Sequence, residues 1–320
     1  MEQNLPKKKT MEQESTVYLY LLPEDCISKI ISLTSPRDAC RSSVVSSVFR
    51  SVVDSDAVWE RFLPSDYQQI LSLSVSPFPL VFSSKKELYL HLCNNPVLID
   101  KGTKTFALEK CSGKKCYMIG AKELSIAWGN KPAHWIWTPS PESRFSEVAE
   151  LLYVWWLEVH GRMETRLLSP STTYIAYLVF KFSDSAFGFD EAAEASVKLA
   201  AAPGGGGGGG GGKNSGSGEE VKAVYLNPTG RQRQFPMPTR RCRPIRHQEP
   251  VADAADQQLL QDRQAPKDRG DGWMEIQLGE FVNEKGEDGD VEMSLMEVTG
   301  SSSKCGLIIQ GIELRPKKAE

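Results

Sequence analysis

The sequence has little histidine, four residues in 320, and its seven cysteines are scattered. Cys111 and Cys116 are the nearest pair, with four residues between them and no second pair to complete a zinc site. His91, His134, His160 and His247 form no ligand-spaced cluster, so no metal is expected. The thiols are read as reduced and mostly buried. No window holds the roughly 18 continuous apolar residues of a membrane-spanning helix, so no membrane partner is expected. The N-terminus runs from Met1-Glu2-Gln3-Asn4 into Lys7-Lys8-Lys9 without the apolar core of a signal peptide. Cytoplasm or nucleus is the expected location, and the three lysines are read as solvated tail charge. Neither sign of charge dominates: the net charge is −3, which gives the whole chain no pull towards nucleic acid.

A catalytic constellation is also missing. There is no P-loop and no nucleophile with a matched base. Glu292 and Glu297 share one candidate strand, but their odd spacing sends them to opposite faces, so they make no glycosidase pair. No catalytic residue and no cofactor are expected.

What is present suffices for two domains. Hydrophobic residues make up 40% and charged residues 25%, the balance of a soluble globular chain. Short helices are predicted near the start. Pro23, Glu24 and Asp25 suit a first helical turn, and Ile27, Ile30 and Ile31 make one apolar face. Ser35-Pro36 repeats the start signal, Phe49, Val52 and Val53 carry a third helix, and 56–64 a short further turn. Serines at 42, 43, 46 and 47 make the middle of this region polar. A capped amphipathic helix is predicted over 83–93, with Leu88, Leu92 and Cys93 on one face.

From Lys115 the period changes to two. Strands are predicted at 115–119, 124–128, 151–160, 174–182, 221–226, 273–278, 291–298 and 306–315. Many short strands without intervening helices argue for an antiparallel sandwich. Nine consecutive glycines at 204–212 break the pattern and read as flexible coil. Arg231, Arg233, Arg240, Arg241, Arg243 and Arg246 follow without an acid among them. The run lacks interleaved aromatics beyond Phe235 and is read as a solvated basic loop, not a nucleic-acid site.

Ten residues, Trp128 to Trp137, hold three of the seven tryptophans. Trp135 and Trp137 are two apart and share a face on a strand. Trp128 has the parity of Leu124 and Ile126, so alternation assigns it to the core, while a strand end would turn it out. Trp155, Trp156 and Trp273 are read as core.

The residues then reach a resemblance. Leu22-Pro23-Glu24-Asp25, Ser35-Pro36-Arg37-Asp38-Ala39-Cys40 and the stretch 55–67 around Trp59 resemble an F-box, of the kind found in plant proteins with a phloem-lectin domain. Cys116-Tyr117-Met118-Ile119, the stretch 123–130, 143–151, Leu168-Ser169-Pro170, 174–181, Asp271-Gly272-Trp273-Met274-Glu275-Ile276, Gly279-Glu280-Phe281, 291–298 and 306–316 resemble a phloem-lectin (Nictaba-like) domain. The resemblance implies an α+β multidomain chain. A small all-α F-box (19–67) follows a disordered tail (1–18). A helical connector (68–110) leads to an all-β, jelly-roll-like antiparallel sandwich (111–320) with a flexible insertion at about 200–270.

It also implies function. The F-box would dock on a Skp-type adaptor of a cullin–RING ubiquitin ligase through Leu22, Pro23, Ile27, Ile30, Val44 and Val45, with Trp59 as anchor. The lectin-like domain would bind carbohydrate, N-acetylglucosamine-containing glycans in particular. Trp128 and Trp135 match the family's two tryptophans seven apart, and Asp290 stands where the family has a glutamate. Trp135 is the expected sugar-facing ring. A substrate receptor of the ligase is the leading expectation. A stand-alone nucleocytoplasmic lectin and a ligase receptor for a non-glycan protein are the alternatives.

Overall fold

The computed structural model describes residues 22–75, 82–200, 221–227, 265–285, 289–298 and 302–318. The expected tail at 1–18, the glycine run and the six arginines of the basic loop lie outside the described residues.

The N-terminal part is helical: α1 (Glu24–Ser32), α2 (Pro36–Ser42), α3 (Ser47–Asp54), α4 (Asp56–Phe62), α5 (Tyr67–Ser72) and α6 (Lys85–Asn94). Serine starts four of these helices. Ser35, Ser46, Ser55 and Ser84 each accept a hydrogen bond from a backbone N–H of the first turn. The Ser42 and Ser43 hydroxyls donate to the carbonyls of Ala39 and Cys40 and close α2. The serine-rich run is therefore the break between α2 and α3. Ile27, Ile31, Val52, Val53, Val58 and Trp59 fill the small core. The Trp59 indole donates to the Val53 carbonyl and meets the Tyr89 ring of α6 at 5.1 Å.

The remaining segment expected as helical connector also contains strands. β1 (Val97–Ile99) and β2 (Lys104–Leu108) form a hairpin that continues the large sheet. Tyr89 ties the two parts together, donating to the Glu109 and Lys110 carbonyls (3.2 and 3.1 Å), and Lys115 pairs with Asp66 at 2.6 Å.

The β part is built of β3 (Lys115–Gly120), β4 (Ser125–Ile126), β5 (Trp135–Thr138), β6 (Val148–Leu151), β7 (Leu157–Glu164), β8 (Thr172–Phe187), β9 (Ala192–Ala200), β10 (Lys222–Tyr225), β11 (Lys267–Asp268), β12 (Met274–Asn283), β13 (Asp290–Glu297) and β14 (Cys305–Pro316). The larger sheet runs β1-β2-β3-β14-β8-β12-β11, with β5 and β6 attached to β14, and the smaller runs β10-β9-β13-β7-β4. Every named pair is antiparallel. On β8 the alternation holds: Tyr174, Ala176, Leu178 and Phe180 are buried and belong to the same core cluster as Leu295 of β13. Gly161 of β7 lies so close to the opposite sheet that a Cβ there would stand 2.9 Å from the Ile312 side chain. β14 changes partner along its length, from β6 at Ile308 and Ile309 to β3 from Gly311 onward. A Cβ on Gly311 would sit 2.0 Å from the Ile119 carbonyl oxygen, so the switch requires glycine.

The outer face of the large sheet carries a charged network. Glu313 of β14 is paired with Arg144 (2.8 Å) and Arg269 (2.7 Å), and Glu275 with Arg269 (2.7 Å) and Arg315 (2.6 Å). Burial alone would raise the Glu313 carboxyl, but Arg269, Arg144 and Arg315 outweigh it and hold it below the usual carboxylate range. Arg269 and β11 lie inside the stretch expected as flexible insertion, whose C-terminal end is thus part of the sheet. The cysteines differ from expectation as well: Cys26, Cys40 and Cys111 are free and exposed, because each lies on a helix surface or a loop.

Candidate functional site

The helices and the aromatic residues gather at opposite ends of the β part. The helical end holds the start of β3, where Lys115 meets Asp66, and a groove lined by both α2 residues and Thr172 of β8. The other end holds the C-terminus of β6 and the N-terminus of β7. β8 reaches from one end to the other, and its 16 residues span about 50 Å.

At the far end the chain leaves β4 after Ile126 and turns back into β5. The Gly129 N–H donates to the Ile126 carbonyl, and that of Lys131 to the Trp128 carbonyl. Trp128 takes φ +62°, a left-handed conformation that costs a non-glycine residue on the order of 1 kcal/mol. Two indoles strap the turn from below. The Trp135 N–H donates to the Ala127 carbonyl (3.1 Å), and that of Trp137 to the Gly129 carbonyl (3.2 Å).

The structure reverses the expected ranking of the two tryptophans. Trp135 is 2% exposed and belongs to the core, whereas Trp128 is 45% exposed. Trp135 opens β5 and opposes Leu151 of β6, a buried position, so its ring is not presented to a sugar. Trp128 is turned out because its strand has already ended.

Trp128 has company. Its ring lies 5.7 Å from His134 and 6.1 Å from Trp156. Tyr153 and Trp155 form a second, T-shaped pair at 6.3 Å. Trp155 and Trp156, expected as core in a strand over 151–160, sit in a loop between β6 and β7 and are exposed. Only Val154 of this loop turns inward. The loop is fixed: the Nδ1 of His134 lies 2.7 Å from the Tyr153 carbonyl, and Val154 and Lys304 exchange backbone hydrogen bonds. Lys304 is itself buried against Glu297 and donates to the Trp155 carbonyl at 3.1 Å. One sequence signal pointed here: from Leu151 to Leu157 no residue is charged, so alternation could assign no outward face.

Asp290 is not part of this cluster. The Ala127 N–H, next to Trp128, donates to the Glu158 carbonyl, whereas Asp290 opposes Glu164. Those positions lie about 20 Å apart along β7. Asp290 instead pairs with Arg162 at 2.6 Å and lines a cavity of about 530 Å³ beside Ile70 and Leu73 of the helical part. The ring and the carboxylate therefore do not converge on one ligand. Among the described residues no group of three or more His, Cys, Asp or Glu could hold a metal.

At the helical end the expected adaptor residues divide into two sets. Ile27 and Trp59 are fully buried and build the core, and Leu22 is half-buried against it. Pro23, Ile30, Val44 and Val45 are exposed, Val44 and Val45 at 78% and 71%. Leu33, not singled out from the sequence, joins them at 74%. Ile30 and Leu33 follow Ile27 along α1, and Val44 and Val45 occupy the turn after α2. Both pairs leave large apolar side chains to solvent on the helical part.

Comparison with known proteins finds a family for each part of the chain. Residues 19–61 match the F-box domain, and residues 114–316 match phloem protein 2. The chain belongs to the F-box proteins that carry a phloem protein 2 domain. Among its relatives in Arabidopsis thaliana, F-box protein PP2-B10 is 44% identical over 98% of both chains. F-box protein VBF is 42% identical over 93% of this chain and 100% of its own, and F-box protein PP2-B15 is 42% identical over 93% and 96%. Among solved structures, TmCBM61 in complex with β-1,4-galactotriose aligns over 61% of this chain and 87% of its own. Its identity is 10% and its TM-score 0.24, an overlap too loose to inform fold or ligand.

Proposed function

We propose that this chain is the substrate-recognition subunit of an SCF-type cullin–RING ubiquitin ligase. The observation that carries the reading is the pair of exposed apolar surfaces at opposite ends of one molecule. Ile30, Leu33, Val44 and Val45 offer an anchor for a Skp-type adaptor. Trp128 and Trp156, with His134 between strand ends, offer flat rings to the CH-rich face of a sugar. The ligand class is a glycan on a glycoprotein, N-acetylglucosamine-containing in the leading form. Glu158, hydrogen-bonded to His160 at 2.8 Å, supplies a carboxylate at this end of β7 that Asp290 does not. The chain itself does no chemistry; it holds a substrate beside the transfer machinery, which is catalysis by proximity. Cytoplasm and nucleus are the proposed locations.

The test has two arms. The full chain is mixed with a Skp-type adaptor, with Val44→Asp/Val45→Asp as control. Loss of binding in the control alone supports the ligase reading, and no binding of the wild type refutes it, leaving a stand-alone lectin. A glycan array then compares wild type with Trp128→Ala and Trp156→Ala. No glycan signal from folded wild-type protein moves the reading to a non-glycan protein ligand.

A further inference from the structure

A groove of about 690 Å³ runs where the helices meet the β part. Five cations line it: Arg37 and Arg41 on α2, Lys114 before β3, and Lys317 and Lys318 after β14. Two carboxylates, Asp38 and Glu109, share the lining, and both are already satisfied. Asp38 pairs with Arg41 at 3.5 Å and accepts from the Ser35 hydroxyl at 2.8 Å. Glu109 accepts from the backbone N–H groups of Cys111 (3.0 Å) and Ser112 (2.7 Å) and from the Ser112 hydroxyl (2.7 Å). Lys317 reaches Glu280 at 2.9 Å. Among the described residues Arg37 makes no ion pair within 4 Å, Lys318 makes no direct pair but its charge helps hold the Glu109 carboxyl low, and Lys114 reaches only the Pro170 carbonyl at 3.4 Å. The surplus is local, because the chain as a whole is net negative at −3. The Thr173 hydroxyl on the same wall adds a donor for carboxylate oxygens, while that of Thr172 is committed to the Pro170 carbonyl at 2.7 Å.

The groove also continues the apolar face of the helices. Arg37, Arg41 and then Val44 and Val45 follow helical spacing, and the Val44 and Val45 N–H groups still bond back to Arg41 and Ser42. A protein seated on Val44 and Val45 therefore lies one helical turn from Arg41. We propose that an acidic segment of that same docked partner runs on into this groove. The proposal rests on the adaptor reading above. It gives the β part a share in holding the partner, because Lys114, Lys317 and Lys318 come from it.

The experiment measures association of the full chain with a Skp-type adaptor at about 50 and about 200 mM salt. Wild type is compared with Arg37→Glu/Lys318→Glu, both exposed positions, after a melting curve confirms the fold. The expected result is association roughly three- to tenfold slower at low salt, with a flattened salt dependence, since peripheral charges act mainly on the encounter rate. An unchanged rate and salt dependence overturns this proposal alone. Failure of the wild type to associate removes the adaptor reading and this proposal with it. A second arm uses poly-L-glutamate as a free probe. Its binding by wild type and loss in the double variant supports the groove as a carboxylate site, and equal binding by both overturns it.

Discussion

At Trp128 one dihedral decides which ring meets solvent. With φ at +62° its indole stands beside Trp156, while Trp135 is closed under the turn. Trp135→Ala should therefore cost about 3–5 kcal/mol in chemical denaturation, as for other buried large aromatics. Trp128→Ala should stay within about 1 kcal/mol of wild type and still lose glycan binding on the array. Glu313 gives a second prediction. Its carboxyl is held low by three arginines, so the stability it contributes is present above the unfolded carboxylate pKa and is lost as pH falls through its lower folded value. Glu313→Gln should cost about 3–5 kcal/mol near neutral pH and flatten the acid limb of a melting-temperature profile. The tryptophans also show where sequence reasoning stops. Parity along 124–128 is valid only while the chain remains a strand, and the strand ends at Ile126. Exposure at Trp128 is set by a turn that alternation does not encode.

Among the elements, strands with one buried face were readable and those without were not. β8 and β12 showed alternation because each has a core side. β9 was missed: Ala192, Ala193 and Ala195 favour helix locally, yet the strand lies between β10 and β13, where small side chains fit. The buried Ser196 and Ser294 hydroxyls meet across that pair at 2.8 Å. The loop at 152–156 was read as strand because a run of apolar residues looks the same in both settings. The helix starts at Ser35 and Ser84 were legible, since a serine N-cap is a local device, whereas Ser46 and Ser55 cap α3 and α4 without having been singled out. Ser46→Ala should lower stability by about 1 kcal/mol in thermal or urea unfolding, through loss of the α3 cap.

The whole molecule depends on its junction. Trp59 stacks near Tyr89, Tyr89 bonds to the loop before β3, and Lys115 pairs with Asp66. A fragment covering 22–75 should therefore show weak, non-cooperative helicity by circular dichroism, while the full chain unfolds as one unit. F-box and phloem protein 2 segments were legible as motifs in the right order, and so was α6 as the helix over 83–93; the β1–β2 hairpin that completes their joint core was not, because its strands are three and five residues long. Under the proposed function, the span of β8 has a consequence for ubiquitin transfer. A single strand connects the helical end to the tryptophan end, so in that role its length would act as a fixed radius. A substrate gripped at the tryptophans is not offered everywhere at once. Only lysines lying in a shell at that radius come within reach, and a substrate tagged with the same sugar elsewhere on its surface would present a different set.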